Sequence, residues 1–568
     1  GFRLRASGAR TDGSVVRGSS RAGTVLACTA LLTLASPATA QEDLRASLDE
    51  VAALPGQPAI VSAGGITRDQ TPLLTLENST PFSEDAGRRR LVLVGGLDGS
   101  AEIAVAVVEA VRWFKTEAPE AARQGWVLSA MPLVDVGGAG LDAAGPFPPE
   151  DGYYDDADRP EAHYAWRWVT YQAPDVVLVV GSGADDTGDV KGTLARALAS
   201  HPGNPELGPV PARVVAATQL QAAVRELVEA PLPAVSPLRR SLEQRIARSP
   251  LDIARLLAAR YPGRPSMSYI PGAAWVHTLR LARLTGETGW RDKVLAQVRP
   301  WLSGEEPLTG ERVSFASLGG AMVFAELASE GGAESAAATG LAARAAEIAR
   351  AETAPGTPAH GSGWTDDMYL GTVVASLARD PEGMSVSTRL ITRYAGLLQQ
   401  EDGIFHHAPD APAPWSRGNG FAGLGMAELL TALPATHPDR PAVLDVFRRQ
   451  MEGLRGHQAP DGMWFQVVDT PGSYREGSLT ALAVTAMARG VRLGWLDDSY
   501  RTVIERAWSA LLAHVELDGE LVDVCISTGA GPTRRYYLDR PAVNGHDDRG
   551  GALILGAALE VHALGQSN

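Results

Sequence analysis

The sequence predicts two bodies of different fold class: an α/β domain with a mostly parallel sheet, followed by an all-helical domain. Three observations carry this. Between about 88 and 235, short apolar runs alternate with amphipathic stretches. From about 250 almost to the end, apolar residues recur at helical spacing. Between the two lies "EAPLPAVSPLRRS", whose prolines are typical of a linker. A chain of 568 residues is also too long for one ordinary core.

Taken in order, the first forty residues stand apart. Arg3, Arg5, Arg10, Arg17 and Arg21 precede "TVLACTALLTLA", which ends in "SPATA" before Gln41. A basic start, a short apolar run and an Ala-x-Ala exit predict a signal peptide over 1–40, and hence a periplasmic or secreted protein. The run is too short to span a bilayer, so no stable membrane insertion is expected. Cys28 suits a lipid anchor poorly, because most of the apolar run follows it. Removal of 1–40 would leave Cys525 alone and no internal disulfide.

In the first body, "RRRLVLVGGLDGS" reads as a buried strand ending in a Gly-rich turn, and "AEIAVAVVEAVRWFKTEAP" as the helix after it. "GWVLSAMPLVD" and "APDVVLVVGSG" are further strands. Strand–helix–strand order with continuous apolar strands implies parallel pairing under helices. The α/β domain is therefore placed at 41–235, the linker at 236–249 and the helical domain at 250–568. In the last, "AAWVHTLRLARLTGE", "MYLGTVVASLARD", "GSLTALAVTAMARGVRLG" and "RGGALILGAALEVHAL" typify about a dozen helices, at roughly 25 residues per helix and loop. Such a domain is a solenoid or a closed ring of hairpins, and the lack of a fixed repeat disfavours the common solenoids.

Hydrophobic content of 45 % and charged content of 21 % describe a globular protein. A net charge of −15, with nothing basic concentrated enough to neutralise phosphates, argues against nucleic acid as a partner. An anionic ligand needs a local cation instead. "PAPWSRGNGFAGLGMAELL" offers one: Arg417 lies in an Arg-Gly-Asn-Gly turn between Trp415 and Phe421, running into a helix. Taken alone, the stretch reads equally as a helix cap with a stacked Arg.

Five stretches in order decide between these readings: "GWTDDMYLGTVVASLA", "DGIFHHAPD", "WSRGNGFAGLGMAELL", "DGMWFQVVDTPGSYREGSLTALAVTAMARGVRLGWLD" and "AWSALLAHVELDGELVDVCISTG". Together they resemble the unsaturated rhamnogalacturonyl and glucuronyl hydrolases over about 250–565. The resemblance implies a six-hairpin (α/α) toroid. It also implies a cofactor-free glycoside hydrolase removing a terminal 4,5-unsaturated uronic acid from lyase-generated oligosaccharides. In that mechanism an acid protonates C4 of the vinyl ether, water adds at C5, and the hemiketal opens to release the neighbouring sugar. Ordinary glycosidases instead place two carboxylates around the anomeric carbon.

The first body more faintly resembles the zinc carboxypeptidases, through "VGGLDGS", "DRPEAHYAWRWVTYQAPDVVLVV" and the strand order. Catalytic zinc needs about three protein ligands. Between 42 and 245 the only histidines are His163 and His201. Asp98-Gly99-Ser100-Ala101 stands where the peptidases place His-x-x-Glu, and "VVGSG" where a later His belongs. No metal is expected, and the domain is read as non-catalytic. Asp98, Glu102, Asp185 and Asp186 leave a carboxylate-only cation site open.

The resemblance places the acid at Asp366. Proton donation requires the neutral form, whereas a helix start favours the carboxylate. Burial against aromatic rings, Trp364 the nearest, has to outweigh the dipole. Asp367 points about 100° further round and is expected to brace the site or cap the helix. Arg417 supplies a fork for the uronate carboxylate, and Asn419 belongs to the same motif. The flanking glycines allow close backbone approach. Phe421 stands where the family has Trp, as a sugar platform. His407 matches the pocket histidine, with His406 facing away. His360, Trp464, Gln466 and His546 complete the substrate-binding candidates. One departure stands out: the family's second pocket Asp aligns with Ser314 in "GERVSFASLGGAMVFAEL", with Glu311 nearby. That leaves as alternatives a hydrolase of saturated uronides, or an inactive carbohydrate-binding protein. Polymer, linkage and oligomeric state are not legible.

Overall fold

The computed structural model describes residues 37–78, 82, 87–137, 147–149, 160–181, 193–200 and 207–567. The apolar run of the expected signal peptide, Cys28, Asp185, Asp186 and His201 lie outside them. Helix α1 (Pro37–Ala53) crosses the Ala40–Gln41 bond.

Side-chain alternation decides the layers of the first body. In β3 (Arg89–Val94), Leu91 and Leu93 join one core cluster while Val92 and Val94 join another on the opposite face. The other strands are β1 (Ile60–Ile66), β2 (Pro72–Glu77), β4 (Trp126–Met131), β5 (Val176–Gly181) and β6 (Ala212–Ala216). Helices α2 (Ala101–Thr116), α3 (Glu120–Gly125), α4 (Pro160–Tyr171), α5 (Leu194–Ser200) and α6 (Leu220–Glu229) surround them. The order is β1-β2-β4-β3-β5-β6. Pairing is parallel from β4 through β6, but β1 pairs antiparallel with β2, and β2 with β4. The sheet is thus mixed, with three parallel pairings and two antiparallel ones from a hairpin that the sequence did not announce. The missed hairpin has Gly64 and Gly65 inside its first strand, which blurs the β pattern: side chains there would strike Trp168 and Tyr164.

In the turn before α2, Asp98 has a structural use. Its Oδ1 accepts the Ser100 N–H, and Ser100 Oγ accepts that of Ile103, so the turn serves as a helix cap. His163 is buried within α4.

The expected linker is largely helix α7 (Pro237–Ile246). Ser236 caps it and Asp175 receives both the Ser236 N–H and Arg239, at 2.9 and 2.7 Å. Arg245, fully buried, donates to the Ala513 carbonyl at 3.0 Å. Prolines here start a helix at its first turn rather than mark a spacer.

The remaining helices are α8 (Pro250–Arg260), α9 (Tyr269–Thr285), α10 (Thr288–Leu302), α11 (Phe315–Leu318), α12 (Met322–Glu330), α13 (Ser335–Ala349), α14 (Asp367–Ala375), α15 (Pro381–Leu398), α16 (Ser416–Ala432), α17 (Arg440–Gly456), α18 (Gly477–Arg492), α19 (Tyr500–Ala513), α20 (Arg534–Leu538) and α21 (Asp548–Gly565). Short strands β7 (Glu352–Ala354), β8 (Thr357–Pro358), β9 (Leu521–Cys525) and β10 (Ala542–Gly545) lie in the loops. Helices α9, α12, α14, α16, α18 and α21 form the inner ring, which closes where α21 packs on α9. The alternate helices pack outside it, so all inner helices start at one end. That end gathers the positive ends of their dipoles and is favourable for an anion. Among the described residues no helix is long and apolar enough to cross a membrane.

The two bodies share one core. Ile66, Tyr164 and Trp168 of the first pack in the same cluster as Trp415, Val467, Tyr537 and Leu538 of the second. Arg475 reaches across to Glu77, and Arg167 pairs with Asp523 at 3.3 Å.

Candidate active site

Asp366 immediately precedes α14. Its backbone is already helical, at φ −55 and ψ −37, and its side chain makes no capping bond. The carboxyl, 23 % exposed, is left to face the open end of the ring. Oδ2 lies 3.2 Å from His407 Nε2, and His407 Nδ1 lies 2.8 Å from Tyr537 Oη. Tyr537 Oη also accepts the Gly531 N–H at 3.1 Å. Burial pushes the Tyr537 phenol up to about 12, so it stays a donor. Hydrogen-bond accounting then sends its proton to Nδ1 and leaves the His407 proton on Nε2, facing Asp366. The imidazole is packed among Trp364, Trp415 and Tyr537 at centroid separations of 5.4, 4.7 and 5.5 Å.

Asp367 braces the site, as its angle predicts. Its carboxylate accepts from the Ser362 and Gly363 N–H groups and the Ser362 and Tyr394 hydroxyls. Burial raises its pKa, and those donors oppose the shift.

The Arg-Gly-Asn-Gly segment is not a turn but the first turn of α16. Its glycines admit neighbouring elements rather than a ligand: a side chain at Gly418 would strike Thr365, and one at Gly420 would strike Leu482. Arg417 is 1 % exposed and lies over the Trp415 ring at 4.8 Å. Nη1 donates to the Cys525 carbonyl at 2.7 Å and to Ser478 Oγ at 3.2 Å. Nε and Nη2 make no hydrogen bond among the described residues. That leaves the edge of the guanidinium that suits a carboxylate. Thr365 Oγ1 and Trp415 Nε1 are likewise buried without partners.

Four sequence candidates prove structural. Asn419 is fully buried and clamps Phe405 through both its N–H and carbonyl. Phe421 is no sugar platform: it stacks on Tyr369 and meets Tyr269 edge-on in the core. Trp464 is buried with its N–H on the Leu454 carbonyl at 2.6 Å. Gln466 is consumed by Ser416, Cys525 and Tyr537. In each case the motif is real, but its side chains hold the loops that carry the site.

His360 is half-buried, and its carbonyl accepts the Phe315 N–H at 3.2 Å, joining its loop to the start of α11. His406 is half-buried and makes no hydrogen bond to Asp366. His546 stays exposed beside Asp548, its ring 4.8 Å from Tyr261. Ser314 caps α11 by accepting the Ser317 N–H, as an Asp in that place could. Glu311 is exposed.

Sequence reasoning missed Tyr537. It stands 130 positions from His407 in a short "RRYYLD" stretch without periodicity, and only the folded chain joins the two. Tyr536 beside it accepts the Gly529 N–H at 3.0 Å, and a side chain at Gly529 would come within 3.9 Å of Trp364. Among the described residues Glu516, Asp518 and Glu520 lie close enough to share a cation, but Arg245 and Arg260 already oppose them.

Comparison with known proteins agrees with this architecture. Residues 361–564 match the family model Glycosyl Hydrolase Family 88. A glycoside hydrolase from family 105 of C. acetobutylicum ATCC 824 superposes with a TM-score of 0.50 at 19 % identity, over 56 % of this chain and 100 % of that one. The C-terminal part therefore has the six-hairpin fold. The unsaturated rhamnogalacturonyl hydrolase YesR of Bacillus subtilis (strain 168) is 29 % identical over 145 residues, 24 % of this chain and 40 % of that one. An unsaturated 3S-rhamnoglycuronyl hydrolase of Alteromonas sp. (strain LOR) is 30 % identical over 131 residues, 22 % and 32 % of the two chains. This chain spans less than half the length of either relative.

Proposed function

We propose that the protein is a glycoside hydrolase that removes a terminal 4,5-unsaturated uronic acid from oligosaccharides by hydrating the vinyl ether. The single observation that carries this is the placement of Asp366: a partly exposed carboxyl at the mouth of the ring, bonded to a buried histidine that aromatic rings flank. The names of the relatives support the substrate class.

In this reading Asp366, neutral, gives its proton to C4. The cation at C5 is shared with the ring oxygen, and water adds there as its proton passes to the Asp366 carboxylate. The acid is regenerated, and the hemiketal opens to release the neighbouring sugar. Only one carboxyl is needed, acting as acid and then base. His407 holds Asp366 in place, and Trp364 offers an aromatic face to the sugar. The free edge of Arg417 takes the uronate carboxylate. His360 and His546 line the rim.

The α/β domain, with its carboxypeptidase-like strand order over 41–235, is read as non-catalytic, and the chain as exported after removal of 1–40. N-terminal sequencing of protein from the native envelope tests the last point; an intact 1–40 would refute it.

The reaction is tested with lyase-made disaccharides in heavy-oxygen water. Ultraviolet absorbance of the vinyl ether is expected to disappear, with label on the former C5. Label on the uronic acid's own anomeric carbon, C1, would mean ordinary glycoside hydrolysis. Turnover of the saturated sugars would favour the saturated-uronide reading, and binding without turnover the carbohydrate-binding protein.

A further inference from the structure

Helix α20 carries Tyr537, the partner of His407, yet it has only five residues. A helix that short does not hold itself together, so its place is set by what it is tied to. At its start Arg534 pairs with Asp469 of the toroid at 2.9 Å. At its end the tie comes from the other body. Arg68, in the β1–β2 turn, pairs with Asp539 at 2.6 Å. Arg535 donates to the Arg68 carbonyl at 2.7 Å and to Asp539 at 2.9 Å. Arg68, Asp539 and Arg535 thus close a small ring across the boundary. The turn presenting Arg68 is itself held, by Thr67 Oγ1 accepting the Thr71 N–H at 3.0 Å and by a positive φ of 62 at Gln70.

From this geometry we infer that the N-terminal α/β domain positions the active site: Arg68, through Asp539 and Arg535, holds α20 so that Tyr537 stays on His407. The domain then has a role in catalysis without touching substrate. Arg68 is a positioning residue acting through Tyr537, and the shared core around Tyr537 and Leu538 gives the contact a rigid backing. The inference rests on the Asp366 reading for its link to turnover. The physical link from Arg68 to His407 is independent of that reading.

Two measurements on the full chain separate these. The first needs no activity. Histidine-selective nitrogen-15 spectra report the ring tautomer, with His407 assigned by its loss in His407→Gln. The intact protein is expected to show the proton on Nε2. Arg68→Ala and Tyr537→Phe are expected to shift that signal alike, and Arg68→Lys to restore most of it. An unmoved His407 signal in folded Arg68→Ala overturns the inference, whether or not the enzyme hydrates vinyl ethers.

The second is a double-mutant cycle in kcat on the unsaturated disaccharide. Each single variant is expected to lose about fivefold, the worth of one ordinary hydrogen bond, with KM changed less. The double variant should lose little more, because both act through one contact. Fully multiplicative losses, or an altered KM alone, would show that Arg68 acts elsewhere. Absence of turnover in the unaltered protein would overturn the functional reading and leave the tautomer result to decide the positioning.

Discussion

The two ends of the toroid bury charge in opposite ways. Where the inner helices finish, Glu428 meets Arg280 and Arg489, each at 2.9 Å. Glu560 meets Arg489 and Arg492, and Glu326 meets Arg280 and Arg283. A cavity of about 90 Å³ lies there, but the carboxylates lining it already have guanidinium partners. Where the helices start, among the described residues Arg417 leaves one edge without a partner, and Asp366 bonds through one oxygen only. A matched charge fixes a shape, whereas a held but unmatched one is disposed toward a ligand. The contrast separates scaffold from site within one ring.

The largest effect expected from breaking it is on stability. Burial alone would raise the Glu428 carboxyl, yet Arg280 and Arg489 hold it well below the usual carboxylate range. Glu428→Gln takes one of two carboxylate partners from each guanidinium, Glu326 and Glu560 remaining, and is expected to cost about 3 kcal/mol, the worth of two charge-assisted hydrogen bonds. Denaturant midpoints measure this. kcat/KM of the folded fraction should be unchanged; a selective loss of activity would move the site to this end of the ring.

Asp366→Asn is the converse. It is nearly isosteric and half-open to solvent, so unfolding should be unaltered while kcat falls at least about a hundredfold. A fully active, folded Asp366→Asn protein would remove Asp366 from the chemistry.

Arg417→Lys keeps the charge and loses the fork. One charge-assisted hydrogen bond is worth about 1.5–3 kcal/mol, so kcat/KM should fall roughly ten- to a hundredfold. Unchanged kinetics would mean that the free edge faces protein rather than substrate.

These residues mark how far the sequence could be read. Asp366, His407 and Arg417 were legible as candidates because each sits in an ordered motif whose chemistry is local. Phe421, Asn419, Trp464 and Gln466 were misassigned for a physical reason. A motif records that a residue is needed, not which way it points, and here the need is to hold loops and pack inner helices. Tyr537 and Arg68 left no signal, since their roles arise from contacts across 130 and 471 positions. The helices were plain from periodicity, but their closure into a ring came only from the resemblance. The β1–β2 hairpin was hidden by the glycines that let α4 approach.

The smallest expected effect sharpens the contrast along a different axis, because two buried histidines lie away from the mouth. His277 lines the cavity at the far end of the ring, and His514 stacks on Tyr171 at 4.0 Å, at the seam between the bodies. Burial lowers each from 6.5 to about 3. Both stay neutral in the folded protein, while the unfolded chain takes up protons first as the pH drops. Their contribution is therefore fully present above about pH 6.5 and is lost as pH falls toward about 3. By about pH 5 each should cost roughly 2 kcal/mol. Denaturant unfolding of His277→Gln and His514→Gln, followed from neutral to acid pH, tests this. Each variant should lose less stability on acidification than the unaltered protein does. Parallel curves would mean that neither imidazole is kept neutral by burial. If the two bodies unfold as one through their shared core, His514→Gln should flatten the acid response of a single transition. A separate early transition that responds to His514 alone would show that the seam, and with it the Arg68 tie to α20, opens before the ring.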